Sequence, residues 1–218
     1  MLIACSHPKK GQNKADGGPA RLAPPALSVA LAGLPRGPIA ARLDTSEGPI
    51  HCQLERAAAP QAVALFVGLA TGRAPWLDVH TKQVVTRPMY RNLAFFRAVP
   101  NAFVQSGCPL GNGTGTPGYR ITVEPTPDDA RRLAQPGALL LVGYHAPTNR
   151  VDPSPPAPSQ IIGSQFVIGL GDLSHLAGRV SVLGSCGDLE RVRGIAKAVA
   201  ARERDVRLVR VVVDGVAD

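Results

Sequence analysis

The sequence is short of aromatic residues, of long apolar runs, of clustered charge and of paired cysteines, and each shortage removes a class of function. Aromatic side chains make up only 4% of the 218 residues. The basic residues are dispersed, with no Lys/Arg run and no interleaving with aromatics, so the chain does not read as a nucleic-acid-binding surface. The formal net charge of +8 is instead read as a solvated basic exterior, of a kind that also suits an anionic envelope surface. No apolar stretch reaches the roughly 18–20 residues of a membrane-spanning helix. The four cysteines, Cys5, Cys52, Cys108 and Cys186, form no CxxC or CxxH pair, so neither a zinc site nor a dithiol redox motif is expected. No metal, nucleotide or organic cofactor is implied.

A complete signal peptide is also lacking, since only Met1–Ala4 precede the first cysteine. The run LIAC, Leu2–Cys5, nevertheless has the form of a bacterial lipobox. Behind it come a polar and then a Pro/Ala-rich stretch, as a tether would have. Cys5 is thus a candidate lipid anchor that would place the protein at the periplasmic or envelope side. A chance cysteine in a cytoplasmic protein is the alternative. If Cys5 is modified, the other three cysteines leave one disulfide and a thiol, or three thiols, and their spacing does not decide between these.

What is abundant is glycine and proline, 23 and 21 residues, which announces many turns and short strands. Residues 1–36 read as a flexible leader, with one short element at LSVALAGL. From Ile39, IAARLDTSEGPIHCQLE reads as a hairpin around Ser-Glu-Gly-Pro, with Ile50, Cys52 and Leu54 alternating toward a core. In APQAVALFVGLATG, Pro60 opens a helix, Val63, Phe66, Val67 and Ala70 share a face, and Gly72 stops it. LAFFRAVPNAFVQSG is strand-like on both sides of Pro100–Asn101, and a short extended piece is expected near Gln83–Thr86. GALLLVGY, SQFVIGL and RVSVLGSC are further strands. GDLERVRGIAKAVAARE is a helix with Asp188 as N-cap candidate and Val192, Ile195, Ala196 and Val199 inward. DVRLVRVVVDG closes the chain as an alternating strand. The span 145–162 holds five prolines and reads as an irregular surface insert. About eight strands with two distant helices rule out a doubly wound sheet and predict a mainly β fold: a closed, eight-stranded antiparallel barrel capped by two helices, over residues 37–218.

The residues around Arg97 carry a family resemblance. FFRAVPNAFVQSG resembles the cyclophilin pattern F-H-R-x-x-P-x-F-x-x-Q-G-G, and PLGNGTGTPGY is similar to the glycine-rich loop that follows it. GSQFVI (Gly163–Ile168) resembles G-S-Q-F-F-I, and HLAGRVSVLG (His175–Gly184) resembles W-L-D-G-x-H-V-V-F-G. These blocks occur in family order between about Ile39 and Val213. The resemblance implies a barrel with two helices and peptidyl-prolyl cis/trans isomerase activity on proline-containing polypeptides, acting as a monomer without cofactor.

By that resemblance, Arg97 and Gln105 are the catalytic candidates. Phe103, Gln165, Val167, His175, Leu176, Gly113, Ala102 and Gly143 are the substrate-binding candidates, with Gln165 on the peptide backbone and Gly143 within LVGY, where the family has M-A-N-A. The departures are Phe96 for a histidine, Ala102 and Val167 for phenylalanines, His175 for a tryptophan and Val180 for a histidine. Much of the aromatic wall that grips proline is thereby smaller. The retained arginine and glutamines favour an active isomerase. A slow or inactive module that binds proline-containing peptides is the alternative, and a scaffold working through the insert is a third reading.

Overall fold

The structure, a computed structural model, describes residues 22–143 and 160–216. Cys5, the proposed tether up to residue 21 and positions 145–159 of the insert lie outside the described residues. In chain order the elements are α1 (Leu27–Ala30), β1 (Ile39–Thr45), β2 (Gly48–Leu54), α2 (Pro60–Thr71), β3 (Trp76–Leu77), β4 (Val84–Val85), β5 (Arg91–Ala94), β6 (Arg97–Val99), β7 (Phe103–Ser106), β8 (Arg120–Thr122), α3 (Asp129–Leu133), β9 (Ala138–Leu141), β10 (Gln160–Ile162), β11 (Phe166–Gly169), β12 (Ser181–Cys186), α4 (Leu189–Ala200) and β13 (Arg207–Val213). A 3-10 turn, Ser174–Leu176, precedes β12.

Nine strands make one antiparallel sheet in the order β5-β13-β1-β2-β12-β9-β11-β7-β6. Its outermost strands, β5 and β6, are separated in the chain only by Phe95 and Phe96. They are two segments of one bent strand, the first paired with β13 and the second with β7. The sheet therefore curls round on itself, and counting the bent strand once recovers the eight strands expected. The pairs β3–β4 and β8–β10 stand outside the main sheet.

The register sorts side chains onto two faces. Ala98, Val104, Ile168 and Leu139 are successive cross-strand partners on β6, β7, β11 and β9. All four belong to the main core, which also takes in α2 and α4. One residue along, Arg97, Gln105, Val167, Leu140 and Val182 form the adjacent row. Because side chains alternate across a strand, this row faces away from the main core. Val167, Leu140 and Val182 join Leu133, Leu173 and Val180 in a second, smaller cluster.

Each long helix is held by a specific cause. In α2 every residue from Ala62 to Ala70 is buried, so it is a core helix rather than a one-faced one. Pro60 stands in its first turn and Gly72 ends it at φ 76°. The Glu124 carboxylate accepts from the N–H groups of Gln61 and Ala62 at 3.1 and 2.7 Å, meeting both unpaired donors and the positive end of the helix dipole. Beside α2, Phe66, Tyr90 and Phe166 pack with centroids 5.1–5.8 Å apart. Burial pushes the Tyr90 phenol well above its ordinary value, with Tyr119 adding to the shift, and its hydroxyl donates to the Ser164 carbonyl at 2.9 Å. In α4, Val192, Ile195 and Ala196 are buried as expected.

Several expectations need correction. The leader does not extend to residue 36. Leu27, Ala30, Leu31 and Leu34 repeat at helical spacing, and Ala30, Leu31 and Leu34 are buried in the main core, because α1 packs on α2 and Arg73 donates to the Ala32 carbonyl at 2.7 Å. The short element expected at LSVALAGL is helix α1, and a further short helix, α3, adds to the two long ones expected. The first hairpin turns at Ser46–Glu47, with Gly48 and Pro49 already in β2. The last residues of the proline-rich insert, Gln160–Ile162, are strand paired with β8 rather than irregular. Asp188 occupies the N-cap position of α4 but makes no capping hydrogen bond, because its carboxylate binds His51 and Arg191 instead. Cys52 faces inward as read, but it is not a lone core thiol. The register sets it opposite Cys186, with which it forms a disulfide, and among the described residues Cys108 is the free thiol, and it is buried.

Candidate active site

The site is built on the β6–β7 hairpin. Pro100, Asn101 and Ala102 form its turn, where Asn101 takes φ 62° and Ala102 N–H donates to the Val99 carbonyl at 3.0 Å. Asparagine is one of the few residues that accept this left-handed conformation readily. The Ala102 carbonyl in turn accepts from Leu170 and Gly171 at 2.7 and 3.3 Å. Gly171 must lack a side chain, since a Cβ there would lie 2.4 Å from the Asn101 carbonyl oxygen. That contact fixes the segment from Asp172 to Val180 against the hairpin.

Between hairpin and segment lies a cleft of about 410 Å³. Its buried lining is Val167, Leu173 and Val180, and the half-buried Phe103, Val142 and Leu176 form its sides. Arg97, His175 and Arg179 stand exposed at its rim with Asp172. Ser174 donates to the Asp172 carboxylate, and this hydrogen bonding, helped by His175, holds the carboxyl below its ordinary value, so Asp172 is anionic.

Arg97 does not lie buried in an apolar setting, as its neighbours in sequence suggest. It is exposed, with its guanidinium 5.1 Å from the centroid of the Phe103 ring. No carboxylate lies within ion-pair distance of it among the described residues. Directly opposite across the hairpin is Gln105, which is buried and lines the cleft. The Gln105 amide donates to Gln165 Oε1 at 3.1 Å.

Of the substrate-binding candidates, the structure brings Ala102, Phe103, Gly143, Val167, His175 and Leu176 to this cleft with Arg97 and Gln105. It does not bring Gln165 or Gly113 there. Gln165 is buried, and its Nε2 donates to the carbonyls of Gly113 and Gly115 at 2.8 and 3.1 Å. Gly113 stands behind the cleft at φ 87°, where a Cβ would approach the Phe96 ring to 3.0 Å. Phe96 thus packs on the glycine loop. Val142, Asp172, Leu173 and Arg179 were missed. Val142 and Arg179 lie inside the quoted stretches LVGY and HLAGRVSVLG, and Asp172 and Leu173 lie just before the second of these.

Comparison with known proteins agrees with this architecture. The family model described as cyclophilin type peptidyl-prolyl cis-trans isomerase/CLD matches residues 40–213. Peptidyl-prolyl cis-trans isomerase B of Streptomyces anulatus is 32% identical over 178 residues, covering 82% of this chain and 93% of the relative. Peptidyl-prolyl cis-trans isomerase A of Mycobacterium tuberculosis is 30% identical over 165 residues, covering 76% and 82%. Among solved structures, a cyclophilin type peptidyl-prolyl cis-trans isomerase of Cryptosporidium parvum superposes with a TM-score of 0.62 at 20% identity, over 81% of this chain and 97% of that one. The structure of the same Cryptosporidium protein in the presence of the dipeptide Ala-Pro gives a TM-score of 0.60 at 19% identity, over 80% and 98%. With its fold, its cleft and these relatives in view, the chain belongs to the cyclophilin-type peptidyl-prolyl cis-trans isomerase family.

Proposed function

We propose that the chain turns X–Pro peptide bonds between cis and trans in the cleft beneath Arg97, with Arg97 as the catalytic donor and Gln105 as its partner. The observation that carries this reading is a guanidinium without an ion pair among the described residues, set opposite Gln105 at the mouth of an apolar cleft. Rotation about X–Pro breaks no covalent bond. Its barrier of about 18–20 kcal/mol is the amide resonance lost on twisting. In the twisted state the proline nitrogen becomes pyramidal and regains a lone pair, so a donor aimed at that nitrogen binds the twisted state better than either planar one. A guanidinium is permanently charged and offers several donors in a fixed fork, so it can hold a neighbouring carbonyl and reach the nitrogen together. The Phe103 ring supports its plane, and Val167, Leu173 and Val180 supply the apolar floor for the pyrrolidine ring.

A protease-coupled assay on proline peptides, with Arg97→Ala as control, tests the reading. Equal, uncatalysed rates for both proteins would remove it. The small side chains Ala102, Val167 and Val180 favour the alternative of a binding module that turns its ligand over slowly. NMR titration with X–Pro peptides would then give saturable shifts without faster exchange. For location, the Cys52–Cys186 disulfide supports an oxidising compartment, in keeping with Cys5 as an envelope anchor. Mass analysis of the protein isolated from its own cells, for a diacylglyceryl addition at Cys5, tests that part.

A further inference from the structure

The glycine loop behind the cleft is gripped from two sides at the same two residues. Gly113 and Gly115 each direct a backbone N–H at the Cys108 sulfur, both at 3.2 Å. The carbonyls of those two glycines accept from the Gln165 amide at 2.8 and 3.1 Å. Gln165 then accepts from Gln105, which stands opposite Arg97. We propose that Cys108 is a positioning residue for the Arg97–Gln105 pair, acting through Gly113, Gly115 and Gln165. This inference rests on the reading of Arg97 given above.

The chemistry of the thiol suits the task. Cys108 is fully buried, and its S–H is directed at Asn112 Oδ1 at 3.9 Å while its sulfur accepts twice. One side chain therefore closes the loop onto its own starting point. The loop is tight at both glycines. A Cβ on Gly115 would lie 2.8 Å from Pro109 and 2.9 Å from the Leu110 nitrogen, and the Gly113 position faces the Phe96 ring. Removing the sulfur leaves two N–H groups without acceptors, one of them buried. The loop then relaxes toward whatever satisfies them. Because its carbonyls carry the Gln165 amide, that relaxation turns Gln165, and with it the oxygen that orients Gln105. A serine restores an acceptor at the same place, although its oxygen is smaller and sits nearer its Cβ. Cys108 is buried and does not line the cleft, so its effect is on the geometry of the twisted state rather than on capture of the ground state.

The test uses Cys108→Ala, Cys108→Ser and, as an exposed control in the same loop, Leu110→Ala, each in the full-length chain and again with Arg97→Ala. Cys108→Ala is expected to lower kcat about tenfold with KM changed less than about twofold, and Cys108→Ser to recover to within about threefold of the parent. With Arg97 already replaced, Cys108→Ala should cost nothing further, as two members of one unit do. The side-chain amide resonances of Gln105 and Gln165 should move in Cys108→Ala and stay in Leu110→Ala. A parental kcat with unmoved glutamine resonances overturns the proposal. Equal losses in both backgrounds also overturn it, because they mark a general defect of the fold. If Arg97→Ala itself keeps the parental kcat, the reading of Arg97 fails instead, and the glutamine resonances alone then decide the role of Cys108.

Discussion

Arg97 and Gln105 face each other as a cross-strand pair on β6 and β7. Eight positions apart on one continuous strand, they would be separated by about 26 Å and would share a face without touching. The turn at Pro100–Asn101 folds that length back, so their backbones lie about 4.5–5.5 Å apart, as directly opposed antiparallel residues do. The hairpin, not an uninterrupted strand, brings donor and partner together on one face.

This pairing makes the first prediction a graded one. Arg97→Ala should lower kcat/KM by about a hundredfold or more, as loss of a preorganised donor to a transition state does. Arg97→Lys should recover little, because a point charge on a flexible stem lacks the two-pronged geometry. Arg97 is exposed and makes no ion pair among the described residues, so the melting temperature should stay within about 1–2 °C of the parent for both variants. A Lys variant with parental kcat/KM would show that charge alone suffices.

Phe103 has two separable duties, as a side of the cleft and as the plane under the Arg97 guanidinium. Phe103→Leu keeps most of the apolar wall and removes the ring. It should leave KM within about threefold while lowering kcat several-fold, in line with a cation–π contact worth roughly 0.5–2 kcal/mol. Phe103→Ala removes both and should also raise KM by about tenfold, from the roughly 1–3 kcal/mol of lost apolar contact. Steady-state kinetics on one peptide series checks the split. If both variants change only KM, the ring does not support the arginine.

How far the site could be read in advance follows from what each residue depends on. Arg97, Gln105 and Phe103 lie within nine residues of one another on one hairpin, so a local motif located them and the cleft they line. Gln165 was read as a substrate-binding residue, but its contacts were not legible: it does not line the cleft, and its partners are the carbonyls of Gly113 and Gly115, some fifty residues away, placed by the curl of the sheet. The disulfide was unreadable for the same reason. Cys52 and Cys186 are 134 residues apart in sequence, and only the β2–β12 register makes them opposite. In α1 the short element was legible at LSVALAGL, with Leu27, Ala30, Leu31 and Leu34 at helical spacing, but its burial was not, because its partner face on α2 is invisible locally.

The disulfide should contribute to stability through the long loop it closes. Cross-linking residues 134 apart removes freedom from the unfolded chain, and such bridges are typically worth about 2–4 kcal/mol. Cys52→Ser, Cys186→Ser and the double variant should therefore show the same lowered urea midpoint, and reductant should bring the parent to that value. Equal midpoints for parent and variants would mean that the bridge does not form or does not constrain the unfolded state. A double variant much weaker than either single one would mean that the two residues act separately.

Beside that bridge, Asp188 ties the start of α4 to β2 and should give the protein an acid-sensitive joint. Its carboxylate accepts from the His51 backbone N–H at 2.9 Å, from the His51 ring at 3.0 Å and from Arg191 at 3.1 Å. The backbone hydrogen bond from His51 comes first among the causes that hold its pKa below the ordinary 3.8, followed by the His51 ring; burial opposes them, and Arg191 adds a smaller lowering effect. A carboxyl with a lowered folded value stabilises the fold wherever it is ionised, at pH above 3.8. That contribution is lost as the pH falls through the lowered value. Asp188→Asn isolates the effect, because Asn also tolerates the left-handed backbone found here, φ 52°. Denaturation measured from pH 7 downward should show the parent more stable than Asp188→Asn near neutrality. The gap should close below about pH 4 as the carboxylate becomes neutral. A gap that persists unchanged to pH 2 would assign it to shape rather than to charge, and would sever α4 anchoring from acid sensitivity.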